Sequence, residues 1–346
     1  MKAHIMYEYG LDLVPYGTSY IRLLLPFKHK SNELITVTSG TDIDDLASDV
    51  YIVERLWRPD INLNMAENLI KRIKRARKKL IYTLDDNLLD LAFNRGGAIW
   101  PTNEQKNIIR LFAKEADGVI VSTVPLKERF DKFNKKVIVV ENAIDDKLQG
   151  VEMVRKDQPS DEVVFGYMGT PSHEADLKMI LPAIREVLTK NDNVRFEIIG
   201  VMEQQYINKV FGNLNVKLLN TTGNVEYPKF RKWMGNTVNW DFALAPLEEN
   251  RFSKCKSDIK VLDYGILKIP GIYSDVSIYR ENVRHLQNGY LTNNDNEHWF
   301  EAVEFMIRNK DVRDRLADNV YKYTKTNRTL DVSAHRWGEA VRQIVN

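Results

Sequence analysis

A serine, a lysine and an aspartate at three-residue spacing, Ser257, Lys260 and Asp263, make the strongest chemical statement in this chain. Residues so spaced drift slowly around one side of a helix, while Ile259, Leu262 and Ile266 form the apolar stripe opposite. Ser257 is a good N-cap residue, and the remaining amides of the first turn would then point at whatever lies in front, which an anion suits. The expected helix packs by one face and presents a cation and an anion on the other. A nucleotide-diphosphate sugar would use these groups directly: the amides and the Lys260 ammonium for the phosphates, the Asp263 carboxylate for the ribose hydroxyls.

The string from Ser257 to Asp275 also resembles the donor-site region of GT-B glycosyltransferases, specifically the retaining family 4, which commonly reads S-x-x-K-x-L-E-Y-x-x-x-G-I-P-V-I-x-S-D. Ser257, Lys260, Leu262, Asp263, Tyr264, Ile269, Pro270, Ser274 and Asp275 fall in register with it. Three positions depart. The two glutamates of the family fall on Cys255 and Asp263, so one acid is absent and the other is a methylene shorter. Lys268 stands where a glycine usually ends the helix, and Gly271 where a valine usually starts the strand. The resemblance implies an α/β chain of GT-B type, two Rossmann-like domains with mostly parallel sheets facing across a cleft. It also implies transfer of a sugar from a nucleotide sugar to an acceptor hydroxyl with retention of anomeric configuration. No cofactor is expected beyond that co-substrate, and no metal, because protein cations can neutralise the leaving diphosphate.

Other segments carry candidate groups. Leu80 to Thr83 reads as a buried strand that runs into Asp85 and Asp86, which places acids at the carboxyl edge of a parallel sheet, where open α/β sheets bind ligands. Adjacent acids point different ways, and Asp86 is the first choice for the group facing the reacting sugar and acceptor, with Asp85 second. Capping and a solvated turn are the bland alternative. A second strand enters Gly166-Tyr167-Met168-Gly169-Thr170-Pro171-Ser172-His173, a glycine-containing loop before a helix start rich in acids. It lacks the third glycine of a dinucleotide fingerprint, but resembles the G-T-x-x-H-x-x-D-L opening of some family 4 donor domains. Gly169 and Thr170 would approach the donor there, and His173 could donate to the diphosphate or bond a sugar hydroxyl.

Near the first strand, Gly17 permits close backbone approach and Arg22 could reach a phosphate, an arrangement similar to the family's glycine loop. The segment Thr222 to Tyr227 resembles the family's nucleobase loop, with Val225 meeting the base through its backbone and Tyr227 through its ring. Arg280 is a further phosphate cation to consider. Ala116 to Thr123 and Val137 to Asp145 resemble the strings that end the first domain of the family, and are scaffold.

The elements that must position these groups alternate. Strand-length apolar runs at Ala3–Tyr7, Leu34–Thr38, Val50–Val53, Leu80–Thr83, Gly118–Ser122 and Lys136–Val140 are separated by helix-period segments. The pattern restarts at Val163–Tyr167, Val194–Ile199, Val216–Leu219, Phe242–Ala245 and Gly271–Ser274. Between the halves, Asp145–Glu162 is polar and without period, which suits a linker. The expected domains are residues 1–150, for the acceptor, and 160–325, for the nucleotide sugar. A final helix, about 326–346 with Trp337, Val341 and Ile344 on one face, would pack back on the first domain.

Composition narrows the alternatives. At 346 residues two domains are the default expectation, and fifty basic against forty-eight acidic residues give no case for a nucleic-acid partner. One cysteine, Cys255, excludes an internal disulfide and a cysteine-based zinc site and fits a reducing cytoplasm. The opening residues lack a signal-peptide core, and no apolar run is long enough to span a bilayer. The basic run Lys71–Lys79 suggests one helix with either a solvated face or peripheral contact with the inner membrane surface. The expected partners are a nucleotide sugar and a glycan, lipid-linked or protein acceptor. Two rival readings share the fold: a non-catalytic partner subunit that binds an acceptor protein, favoured by Cys255 in place of an acid, and a nucleotide-sugar epimerase.

Overall fold

The computed structural model describes residues 1–95, 98–148 and 161–346, so most of the expected linker lies outside the described residues. The chain forms two compact units. One comprises Met1–Asp145, Arg251–Ser257 and Thr329–Asn346, and the other Asp146–Asn250 and Asp258–Arg328.

In the first unit the chain lays down β1 (Lys2–Met6), β2 (Thr36–Gly40), β3 (Val50–Glu54), β4 (Lys79–Leu84), the short antiparallel hairpin β5 (Phe93–Arg95) and β6 (Ala98–Trp100), then β7 (Gly118–Val121) and β8 (Val137–Val139). All but the hairpin form a parallel sheet of order β2-β1-β3-β4-β7-β8. Strand alternation divides the core in two. Leu80, Tyr82 and Leu84 face a cluster with Ile70, Ile73, Ile109 and Phe112 from the helices Leu63–Arg75 and Asn103–Glu115. Ile81 lies in the other cluster, with Ile5, Ile52, Ile120 and the Trp337, Val341 and Ile344 face of the helix His335–Val345. Gly118 shows how closely that helix sits, because a Cβ there would come within 2.6 Å of the Ile344 side chain.

The basic run does not form one helix. The helix ends at Arg75, capped at its start by Asn62, then Arg77 takes a left-handed turn (φ 57°) and Lys79 begins β4. Lys71, Lys74, Lys78 and Lys79 pair with Glu67, Glu115, Asp49 and Asp117, so much of the charge is already balanced by neighbouring acids.

The second unit repeats the plan with β9 (Val163–Met168), β10 (Val194–Ile199), β11 (Val216–Leu219), β12 (Phe242–Ala245), β13 (Gly271–Ser274) and β14 (Tyr290–Thr292), all parallel, in the order β11-β10-β9-β12-β13-β14. Phe165 stacks on Phe242 at 5.1 Å and on Phe196 at 4.9 Å across the middle of the sheet. The helices Glu174–Lys190 and Asn296–Arg308 cover that face with Ile180, Ile184, Val187, Trp299 and Val303. On the other face Gly166 leaves room for Trp240, whose ring atoms lie 2.0 Å from where a Cβ would stand. Two six-stranded parallel sheets are the α/β architecture expected from the alternating pattern. Among the described residues no helix is long and apolar enough to cross a membrane.

Each sheet has one point where strand order reverses, since the first strand of each unit has neighbours laid down in opposite directions. In the first unit this lies between β1 and β3, and in the second between β9 and β12. Crevices at the carboxyl ends of such strands are where α/β sheets hold ligands.

Candidate functional site

In the second unit, the helix Ile259–Gly265 brings Lys260 to the carboxyl end of β9. Its ammonium donates to the Met168 carbonyl at 2.8 Å and lies 5.1 Å from the Tyr167 ring centre. That places a cation where the loop of Gly169, Thr170 and His173 begins, at the reversal point. Gly200, with φ 82°, crosses under this loop so closely that a Cβ would stand 2.4 Å from the Gly169 carbonyl oxygen. Thr170 is exposed and its hydroxyl bonds Ser172, while the His173 Nδ1 lies 2.8 Å from Asp176 Oδ2. The other Asp176 oxygen accepts from the Glu248 amide at 2.9 Å, so the imidazole is oriented by a carboxylate that is itself fixed to the loop after β12.

The helix differs from expectation in three ways. Lys260 and Asp263 are not on an open face, because both are buried. Asp263 Oδ1 accepts from Arg231 Nη1 at 2.8 Å, and Arg231 is fully buried on the helix Tyr227–Thr237. Burial raises the Asp263 carboxyl above its ordinary value, while Arg231 and Lys260 oppose that rise. Ser257 does not cap the helix, because Asp258 occupies the N-cap position without a side-chain capping bond. Instead Ser257 Oγ accepts from Asn142 Nδ2 at 2.8 Å within the first unit. Asp258 is committed to a buried two-bond pair with Arg328, at 2.9 and 3.1 Å, and accepts from Asn282.

Two other donor-side candidates also change character. Tyr227 is buried at the first turn of its helix, which takes its ring out of the role of an open stacking platform, whereas Val225 beside it is exposed. Arg280 is exposed and holds Asp275 through a 2.6 Å contact, which fixes the turn after β13.

In the first unit the reversal point carries a buried network of charges. Glu54, the last residue of β3, accepts through Oε2 from the Glu8 amide (2.8 Å) and from Ser19 Oγ (2.5 Å). Arg55 follows with a left-handed backbone (φ 43°), and its Nη1 lies 3.2 Å from Glu8 Oε2. Such strain outside glycine persists only where surrounding structure enforces it. Asp85, after β4, accepts from Thr18 Oγ1 at 2.7 Å and lies 3.9 Å from Arg55 Nε, and its carbonyl takes the Ser122 hydroxyl. Gly17 begins the turn that delivers Thr18 and Ser19. Asp86 points elsewhere, with Lys256 Nζ 3.6 Å from its Oδ1. Adjacent acids therefore do face different partners, one the Arg55 network and one Lys256.

The environment decides which of these groups is charged. Burial, reinforced by Glu8, pushes the Glu54 carboxyl up to about 8, and burial also raises Glu8 against the pull of Arg55. Burial works against the Arg55 charge too, but Glu8, Asp85 and Asp86 outweigh it and hold the guanidinium above its ordinary value. Arg22 proves to be a structural group rather than a surface cation. It is 1% exposed, donates to the Val140 carbonyl and to Asn142 Oδ1 (2.9 Å), and lies 5.5 Å from the Trp337 ring centre. Burial lowers it to about 10.

Sequence reasoning passed over Glu8, Ser19, Glu54, Arg55, Lys256 and Arg231, and gave Asp176 a place in a motif but no role. The signal at Glu54-Arg55 resembles that at Asp85-Asp86, an apolar strand that runs straight into charged residues.

The family described as Glycosyl transferases group 1 matches residues 162–309. No curated relative matches the sequence. Among solved structures, S. aureus TarM is similar at 15% identity and TM-score 0.61, covering 84% of this chain and 54% of TarM. This chain thus spans about half the length of that protein. Anabaena HepE, solved in complex with UDP-glucose, is similar at 13% identity and TM-score 0.66 over 99% of this chain and 100% of its own. A glycosyltransferase from Rickettsia africae is similar at 10% identity and TM-score 0.62 over 100% and 98%. At these identities the likeness speaks for the fold, which is GT-B, and the group 1 match falls on residues 162–309, within the second unit.

Proposed function

We propose that the chain is a glycosyltransferase that moves a sugar from a nucleotide-diphosphate sugar to an acceptor hydroxyl, with retention of anomeric configuration and without a metal. The observation that carries this reading is Lys260. Inside a group 1 domain, at the reversal point of a parallel sheet, its ammonium sits at the mouth of the Gly169-Thr170-His173 loop. A cation there meets the charge that develops on a leaving diphosphate, where a fixed charge counts most. The Met168 carbonyl holds it, so little reorganisation accompanies the reaction. His173, whose Nδ1 is held by Asp176, belongs to the same loop. Metal independence follows in this reading from neutralisation by Lys260. Retention follows from the likeness of the Ser257–Asp275 string to retaining enzymes. Anabaena HepE, solved with UDP-glucose, makes a UDP-sugar the first donor to test.

In the first unit, Asp86 is the proposed group for positioning the acceptor hydroxyl or stabilising positive charge at the anomeric carbon, and Asp85 supports the loop through Thr18 and Arg55. The acceptor would be a glycan, a lipid-linked sugar or a protein hydroxyl. Cys255 favours the partner-subunit reading, because burial pushes its thiol up to about 11 and leaves it neutral where the family has an acid.

The deciding test is calorimetry of UDP and of GDP, followed by product analysis after incubation with UDP-glucose. Lys260→Ala should weaken nucleoside diphosphate binding by about 1.5 to 3 kcal/mol, the range for a hydrogen bond to a charged group. Equal affinity of variant and parent would remove Lys260 from the donor site. Glucose release with inversion would overturn retention, and no turnover despite UDP binding would favour the partner subunit.

A further inference from the structure

We propose that Arg55 is a positioning residue for the acceptor-side carboxylate, aiming Asp86 by fixing Asp85; this rests on the glycosyltransferase reading, in which Asp86 faces the reacting sugar. The Asp86 side chain is 25% exposed, and its carboxylate accepts no hydrogen bond among the described residues. Its ion-pair partner Lys256 is 3.6 Å away, too far for a hydrogen bond and carried on a flexible stem. The carboxylate is thus available to a hydroxyl, but nothing bonded to it sets its direction. That direction has to come from the backbone, which is pinned one residue earlier.

Asp85 is held from three sides. Its Oδ2 accepts from Thr18 Oγ1 at 2.7 Å, its carbonyl from Ser122 Oγ at 2.9 Å, and its Oδ1 lies 3.9 Å from Arg55 Nε. Those last two atoms are sealed from solvent and have no hydrogen-bond partner, so their attraction acts in a dry site, where charge counts for more than in water. Arg55 is itself fixed at both ends. Its amide donates to the Thr83 carbonyl at 2.9 Å, its carbonyl accepts from the Tyr82 hydroxyl at 2.8 Å, and its Nη1 meets Glu8 at 3.2 Å. Arg55 and Trp57 are both left-handed, at φ 43° and 53°, in a turn closed by the Trp57 amide on the Glu54 carbonyl at 2.7 Å. A turn that only connected two elements would have no need of two such residues, and backbone strain of this kind collects at working sites. The choice of arginine follows from its shape, since one planar group meets Glu8 through one nitrogen and Asp85 through another, which a single ammonium cannot do at once. Burial works against this cation, while Glu8, Asp85 and Asp86 together outweigh it, so Arg55 also feels the charge that it positions.

The test is a double-mutant cycle on the release of UDP from UDP-glucose by the full chain, with water as the acceptor. Arg55→Lys keeps the charge but cannot reach both acids, and Thr18→Val removes the half-buried hydroxyl that holds Asp85 from the other side without altering any charge. Each should lower turnover at least about tenfold, the scale of a misplaced reacting group, with UDP affinity by calorimetry equal to the parent's. In an Asp86→Asn chain the same substitutions should cost less than about twofold further, because the carboxylate they aim is gone. A role in stability alone would lower turnover equally in both backgrounds, and that result, or parental turnover in both variants, overturns the proposal. Carboxyl-carbon NMR of the aspartate-labelled chain gives a second measurement that needs no turnover. The Asp86 resonance, identified by its loss in Asp86→Asn, should move in Thr18→Val while that of the exposed Asp318 stays in place. An unmoved Asp86 resonance overturns the proposal whether or not UDP-glucose is consumed. Near-parental turnover in Asp86→Asn itself is a different failure, which removes Asp86 from the reaction and the role of Arg55 with it.

Discussion

Replacing Glu54 by glutamine tests the charge state of the first unit's reversal point. The carboxyl is fully buried, its value pushed up from 4.5 to about 8 by burial and by Glu8. A group whose folded value lies above its unfolded value binds its proton more tightly in the folded chain, so the folded state gains from Glu54 at low pH. That gain is complete below about 4.5 and is lost as pH rises through about 8. Between those limits stability falls by about 1.36 kcal/mol for each pH unit, or on the order of 3 kcal/mol between pH 4.5 and 7. Glutamine keeps the oxygen that accepts from the Glu8 amide and the Ser19 hydroxyl but cannot ionise. Urea unfolding of parent and Glu54→Gln at pH 5 and pH 7 should show the variant gaining relative to the parent by roughly 2 to 3 kcal/mol over that interval. If parent and variant keep a constant difference, Glu54 is already ionised in the folded protein and the buried network has been assigned the wrong charge.

Asp263→Asn leaves Arg231 as a buried cation without its partner, and should destabilise the chain by about 3 to 5 kcal/mol by urea unfolding. A loss under about 1 kcal/mol would mean the pair is solvated. Weaker binding of free uridine as well as UDP by Asp263→Asn would place the second carboxylate oxygen on ribose, and unchanged uridine affinity would remove it from there. Asp86→Asn should cut turnover by a factor on the order of a hundred with little change in donor affinity, since a positioned acid-base group acts mainly on the transition state. Asp85→Asn should instead loosen the Arg55 network, measured as lost stability; near-parental turnover in both variants would return the pair to a structural role.

Legibility in the sequence followed the range of the interaction. The long strands could be read because each is an apolar run bounded by polar residues, and Val194–Ile199 has the same limits in the structure. Tyr290–Thr292 escaped notice because three residues cannot establish a period, and its place at the sheet edge is set by pairing with β13. The position of Lys260 at a strand end was readable from its motif, but its bond to a carbonyl 92 residues away was not. Arg22 looked like a surface cation because its partners, Val140 and Asn142, stand 118 and 120 residues further along. Likewise Glu8 and Glu54 are 46 residues apart and meet only because β1 and β3 pair in parallel. Charged residues placed immediately after apolar strands deserve the same scrutiny in sequence as paired aspartates.

The discontinuity of the first unit governs how the chain can be made. One face of its sheet, with Ile5, Ile52, Ile81 and Ile120, is covered by Leu330, Trp337, Val341 and Ile344. During synthesis the sheet can pair as soon as residues up to Asp145 have emerged, but the C-terminal part of its cover follows only after Thr329. At roughly 5 to 20 residues per second, the intervening stretch of 184 residues (329 minus 145) takes on the order of ten to forty seconds. Throughout that interval Leu23, Leu24 and Phe27 are the nascent chain's own cover for that face, and the part that Trp337, Val341 and Ile344 bury stays open, the kind of surface that chaperones bind and that drives aggregation. Residues 1–145 expressed alone would remain in that condition, so the first unit is separable in space but not by cutting the gene once.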